Sequence, residues 1–221
     1  MTYNLSPVIS VGEYKARAGR LTTDTVDDTV IGELLTSVTR VVEKRLGYAP
    51  GMLVPQTALT FVFDGSGGSI LRLRDERGFM YPLRSITADS LKIDSDFDGS
   101  FGDYLFDAAD AWVQLAPVNA SQYGEPYTWI ELRAVTTAPI TVFPSGRANI
   151  QIVGNWGYAE TPGVVRERVY GMTREVLDAE RNGGASVSQY DMEEVINRVP
   201  SARALLAVLE REYSQRIPVF G

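Results

Sequence analysis

The stretch Val30-Ile31-Gly32-Glu33-Leu34-Leu35-Thr36-Ser37-Val38-Thr39-Arg40-Val41-Val42-Glu43-Lys44-Arg45-Leu46-Gly47 decides how the chain is read. Val30, Ile31, Leu34, Leu35, Val38, Val41, Val42 and Leu46 recur at helical steps and form one apolar stripe over Thr29–Leu46. Lys44 and Arg45 suit the last turn, and Gly47 suits the C-terminal stop. A helix with one apolar stripe needs a partner to bury it against. The matching stripe lies more than a hundred residues on, in Val164, Val165, Val169, Met172, Val176 and Leu177. There Thr161 reads as the N-cap, Pro162 as the first helical residue, and Arg181 as the end.

Between the two helices the period changes from helical to alternating. Thr57–Phe63 is β-branched and aromatic, and Ser69–Arg74 alternates. Further strands are expected at 85–93, 103–106, 111–115, 128–133 and 149–153, separated by Gly, Pro, Asn and Asp. Asp64-Gly65-Ser66-Gly67-Gly68 reads as a hairpin turn. Upstream, Ser10-Val11-Gly12-Glu13 has capping-box spacing for a short helix reaching Ala18 and stopped by Gly19. Downstream, Asn182–Ser186 is a break, Met192, Val195 and Ile196 belong to a short helix or turn that stops at Pro200, and Ser201 caps a last helix running to Tyr213. The expected fold class is α+β, a bundle of three to four helices with a small antiparallel β-sandwich or barrel inserted. Residues 1–55 and 158–221 form the helical domain and 56–157 the insertion.

Composition removes most catalytic chemistry. The 221 residues include no cysteine and no histidine. That excludes a Ser-His-Asp triad, a cysteine nucleophile, a disulfide, a zinc finger and imidazole metal ligation. Lys and Arg number 21 against 28 Asp and Glu, a formal charge of -7. An acidic chain argues against a sequence-reading nucleic-acid binder. The first ten residues have no basic and apolar signal-peptide pattern, and no apolar run is long enough to span a bilayer. No membrane is expected as a partner.

Four clusters are candidates for chemistry. Asp94-Ser95-Asp96-Phe97-Asp98-Gly99 matches the first half of a calcium loop. The bidentate Glu required at position 12 is replaced by Leu105, and Asp103 comes two residues early, so a solvated acidic turn is the expectation. The glycines of 64–68 lack the Lys and following helix of a phosphate cradle. Trp112, Trp129 and Trp156, with Tyr104, Tyr123, Tyr127 and Tyr158, fit a β core with polar tips better than a stacking face. Arg72, Arg74, Arg77 and Arg84 read as a solvated or interface face, diluted by Asp75 and Glu76. No carboxylate pair is marked as special, and no metal or cofactor is expected. The last helix and the apolar tail Ile217-Pro218-Val219-Phe220 follow a Gly-Gly break and read as docking material for a neighbour.

The order of these residues resembles the head–tail connector (adaptor) proteins of tailed bacteriophages. The likeness lies in Asp27-Asp28 before the first long helix and Val42-Glu43-Lys44-Arg45-Leu46-Gly47-Tyr48 at its close. It continues in Phe63-Asp64-Gly65, in Leu71 to Leu73, and in the junction Asn149–Tyr158 followed by Pro162, Val164, Val165 and Arg166. It ends in Ala204-Leu205-Leu206 to Tyr213. The resemblance spans nearly the whole chain, and its best part is Gly154–Arg166.

The resemblance implies a non-enzymatic virion protein, assembled in the host bacterial cytoplasm. It implies a homo-oligomeric ring, typically of twelve subunits, docked beneath the portal protein at the head–tail interface. Such a ring extends the DNA channel, receives the head-closure (stopper) or tail protein, and passes genomic DNA without reading it. Heterologous contacts that close on themselves would build it. Leu205, Leu206, Leu209, Tyr213, Ile217, Val219 and Phe220 are the expected portal or neighbour contacts. Asp24, Asp27, Asp28 and Glu33 are the expected channel-facing acids, with Glu210 and Glu212 of the last helix as further candidates, since lumen acids repel phosphates. Two rivals stay open: a ligand- or carbohydrate-binding β module lined by Trp112 or Trp129, and a carboxylate hydrolase using calcium at Asp94–Asp98.

Overall fold

The computed structural model describes residues 5–20, 23, 25–106, 110–183 and 191–214. The fold is α+β, with helices at both ends of the chain and antiparallel sheets between them. The chain divides into a helical unit, Leu5–Leu53 with Thr161 onward, and a β unit, Val54–Glu160.

In the helical unit α1 spans Val11–Arg17, α2 Asp28–Arg45, α3 Gly163–Arg181, α4 Met192–Arg198 and α5 Pro200–Ser214. Ser10 caps α1, its hydroxyl accepting the Glu13 N–H at 3.2 Å. The reciprocal half of the box gives way to ion pairs, since Glu13 binds Arg166 at 2.6 Å and Arg17 at 2.9 Å. The stripes of α2 and α3 are sealed against their neighbours within the unit: Ile31, Leu34, Leu35, Val38 and Val42 are buried, as are Val165, Val169, Met172, Val176 and Leu177. Gly47 follows α2 with φ +75°, a conformation that suits glycine.

Two expected caps move. Pro162, with φ -52° and ψ 134°, is itself the N-cap of α3. The Thr161 hydroxyl instead donates to the Leu53 carbonyl at 2.6 Å. At α5 the helix already includes Pro200, so Ser201 sits in the first turn and donates to Glu175 at 2.6 Å. Proline is pre-shaped for the start of a helix, and it shifts the boundary past the hydroxyl residue in the first case and before it in the second.

The β unit holds β1 Gln56–Gly65, β2 Ile70–Arg72, β3 Leu83–Ile93, β4 Tyr104–Phe106, β5 Val113–Ala116, β6 Trp129–Leu132 and β7 Gly146–Trp156. Four strands order as β1-β7-β3-β4 and three as β2-β6-β5, all antiparallel, and a bridge between Leu83 and Tyr127 links the sheets. The first and last strands pair, Gln56 opposite Trp156 and Phe63 opposite Ile150, which brings the ends of the unit together. The expected hairpin at 64–68 is not one. β1 runs through Gly65 and pairs with β7, whereas β2 pairs with β6, so the glycine-rich turn carries the chain from one sheet to the other. Turn chemistry permits either course, and the long-range pairing decides. Phe61 and Trp156 are buried in the β unit, edge-on at 4.8 Å, and the half-buried Tyr81 packs on Phe61 at 4.7 Å. Trp156 is fully buried and donates from Nε1 to the Leu59 carbonyl at 2.9 Å.

Candidate functional site

The residues expected to dock a neighbour belong to α5, whose helical spacing places Ala202, Leu206, Leu209 and Tyr213 on one face. That face lies against α3 and α4, and all four residues are buried. Leu205 is half-buried beside Gly171 of α3, where a Cβ would stand 2.9 Å from its Cδ1. The docking expectation for Leu206, Leu209 and Tyr213 is therefore corrected: their apolar surface is consumed inside the unit, because the α3 stripe needs a cover and α5 provides it. Ile217, Val219 and Phe220 lie outside the described residues.

The expected channel acids are largely neutralised at home. Asp28, in the first turn of α2, pairs with the buried Lys15 of α1. Asp27 receives Arg181 at 2.8 Å and Arg20 at 3.4 Å. Glu212 pairs with Arg168 at 3.4 Å and Glu210 with Arg45 at 3.7 Å. Glu33 is exposed and has no ion pair among the described residues. Asp24 lies outside them. Asp27 and Asp28, expected to face a channel, are thus ion-paired within the helical unit, by Lys15 of α1, by Arg20 and by Arg181 of α3.

The functional-looking group that sequence reasoning passed over is Glu43. It is buried in the last turn of α2, beneath a loop whose Tyr48, Ala49, Met52 and Leu53 are also buried. A buried loop must have its N–H groups satisfied from within. Gly51 N–H donates to Oε2 at 3.0 Å and Leu53 N–H to Oε1 at 3.1 Å, while Arg40 closes a salt bridge. Burial pushes the Glu43 carboxyl above the ordinary glutamate range, against the opposing pull of Arg40 and the two N–H donors. An acid on the apolar face of an amphipathic helix, three residues after an arginine, was the available signal.

In the β unit the aromatic candidates do not share a face. Trp156 is core, Trp112 meets Phe106 edge-on at 6.4 Å, and Tyr123 is exposed on the 3-10 turn Ala120–Tyr123. The arginines separate too. Arg72, Arg74 and Arg77 are exposed, whereas Arg84 is half-buried and clamps the Trp156 and Gln56 carbonyls at 3.2 and 2.9 Å. Desolvation holds the Arg84 guanidinium below the ordinary arginine value. Residues 54–160 carry seven Lys and Arg against thirteen Asp and Glu, so nearly all the net negative charge resides here. The acidic stretch 94–103 is the β3–β4 loop, closed by the Ile93–Tyr104 pair.

No family model, no curated protein and no solved structure matches this chain.

Proposed function

We propose that the chain is a structural subunit of a phage head–tail connector, acting in a ring beneath the portal and receiving the stopper or tail. The observation that carries the reading is the part played by the residues that resemble the family. Glu43, Gly47 and Tyr48 build the turn that leaves the first helical segment. Gly154 and Trp156 build the strand that returns to it. Gly154 lets β7 approach β3, since a Cβ there would stand 2.6 Å from the Ser85 carbonyl, and Trp156 fills the β core. The likeness therefore rests on residues that specify an architecture, a β unit inserted in a helical unit made from both chain ends. What the residues do in that architecture is hold strands and loops, which suits a scaffold.

Ring contacts, on this reading, come from outward positions. In the helical unit the exposed large apolar residues include Val26, 87% exposed, and Val30, 49% exposed, at the start of α2. Such isolated positions make a weak self-association surface, so assembly waits for the portal as template. The test mixes the purified chain with the portal ring of the same phage genome and images the mixture by electron microscopy. A collar of added density below the portal is expected. A portal that stays bare, with the chain eluting separately, overturns the reading.

A further inference from the structure

The loop between β3 and β4 holds a group that the connector reading does not use. Ile93 pairs with Tyr104, so Asp94 and Asp103 leave the two strands side by side. Between them the chain turns sharply, with Phe97 at φ +63° and Gly99 at φ +87°. The Gly99 N–H donates to Asp94 Oδ2 at 2.9 Å, which carries the chain back over the first aspartate. Asp98 N–H donates to Asp96 Oδ1 at 3.2 Å and Ser100 N–H to Asp98 Oδ1 at 2.7 Å. Ser95, through both N–H and hydroxyl, and the Asp96 N–H donate to Asp103 Oδ2.

The result is three carboxylates, Asp94, Asp96 and Asp103, each with an oxygen within 4.8 Å of the others. Two oxygens on one calcium ion stand at most about 5 Å apart, twice the ordinary Ca–O distance, so a single ion reaches all three. A second observation points the same way. Asp94 is 4% exposed, and its Oδ1 is buried with no hydrogen-bond partner. Among the described residues no Lys or Arg forms an ion pair with any of the three. A buried carboxylate oxygen without a donor or counter-charge carries a large desolvation cost. A cation at the centre of the three removes that cost and the mutual repulsion together.

We propose that the β3–β4 loop is a divalent-cation site of calcium type, with Asp94, Asp96 and Asp103 as its protein ligands. Asp94 is the inner ligand, and Asp96 and Asp103 are exposed, which leaves the outer coordination positions to water. Calcium fits better than magnesium because a flexible, all-oxygen set that spans a hairpin does not impose octahedral geometry. The ion would cross-link the two strands at the loop end of the hairpin. The sequence pattern broke down at position 12; the hairpin register supplies Asp103 instead.

The test is isothermal titration of calcium chloride into the full chain. One site is expected, with Kd on the order of 10⁻⁵–10⁻³ M, and at least tenfold weaker binding of magnesium. Asp96→Asn and Asp103→Asn alter exposed side chains, and far-UV circular dichroism reports that they fold. Each is expected to weaken calcium at least tenfold, whereas the exposed Glu125→Gln of the same unit binds as the parent does. The proposal is overturned if the folded parent shows no calcium heat up to 10 mM, if Asp96→Asn retains parental affinity, or if Glu125→Gln weakens binding equally.

Discussion

At the residue scale, Glu43 sets burial against charge. Its two oxygens serve two different N–H groups and Arg40 at once. Glu43→Ala leaves all three without their acceptor, and a loss of about 3 kcal/mol is expected by urea denaturation. Glu43→Gln keeps one acceptor oxygen and tests the electrostatics. The folded state holds the Glu43 proton more tightly than the unfolded chain does, because burial raises its pKa. The stability this adds is fully present below the ordinary glutamate range and is lost as pH rises through the raised value. The Tm of the parent relative to that of Glu43→Gln should therefore fall between about pH 4 and about pH 7; a relative Tm that rises with pH contradicts the assignment. Gly154 makes a steric prediction. Its missing Cβ would meet the Ser85 carbonyl at 2.6 Å and Leu83 Cδ1 at 2.9 Å. Backbone cannot step aside as a side-chain tip can, so Gly154→Ala should cost about 2 kcal/mol, measured as a lowered urea midpoint.

At the scale of the element, α5 is the piece whose role changes most. Read along the chain it follows a glycine pair and precedes an apolar tail, which suggests a detachable arm. In the fold it covers α3, with Leu206 and Leu209 buried. Leu209→Ala should cost about 3 kcal/mol, the penalty of a fully buried leucine that leaves a cavity. Removing residues 201–221 should unfold more helix than is deleted and raise dye binding to exposed apolar surface, measured by circular dichroism and fluorescence. A truncated chain with native Tm would restore the detachable arm. The difference between the two readings was not visible locally: an apolar face looks the same whether its partner is α3 or another subunit. Cap positions show the same division. Ser10 was legible as a cap because nothing competes with it. At 161 and 201 a neighbouring proline moved the helix boundary and freed the hydroxyl for a distant acceptor.

At the scale of the whole molecule, the long apolar stripes are sealed within the helical unit apart from Val30 at the start of α2, and the exposed apolar residues there also include Val26. The chain alone should be monomeric at about 10 µM, the concentration at which small, poorly packed contacts fail to hold, as measured by light scattering. Net charge is -7, concentrated in residues 54–160. The chain should not be retained on duplex DNA at physiological salt, since its 28 acids outnumber the 21 Lys and Arg that could neutralise phosphates; retention would contradict a conduit that lets DNA slide.

By itself the sequence determined the kinds of element and their order, because helical and strand periods are written in neighbouring residues. It also determined what chemistry was missing, since no fold restores an absent histidine or cysteine. The tertiary structure alone decided which stripe α5 covers, that β1 pairs with β7 instead of β2, that Asp27 and Asp28 are neutralised, and that Asp103 comes beside Asp94 and Asp96. Those outcomes depend on contacts between residues far apart in the chain. Their energies come from excluding water and pairing charge, and no local pattern carries that information.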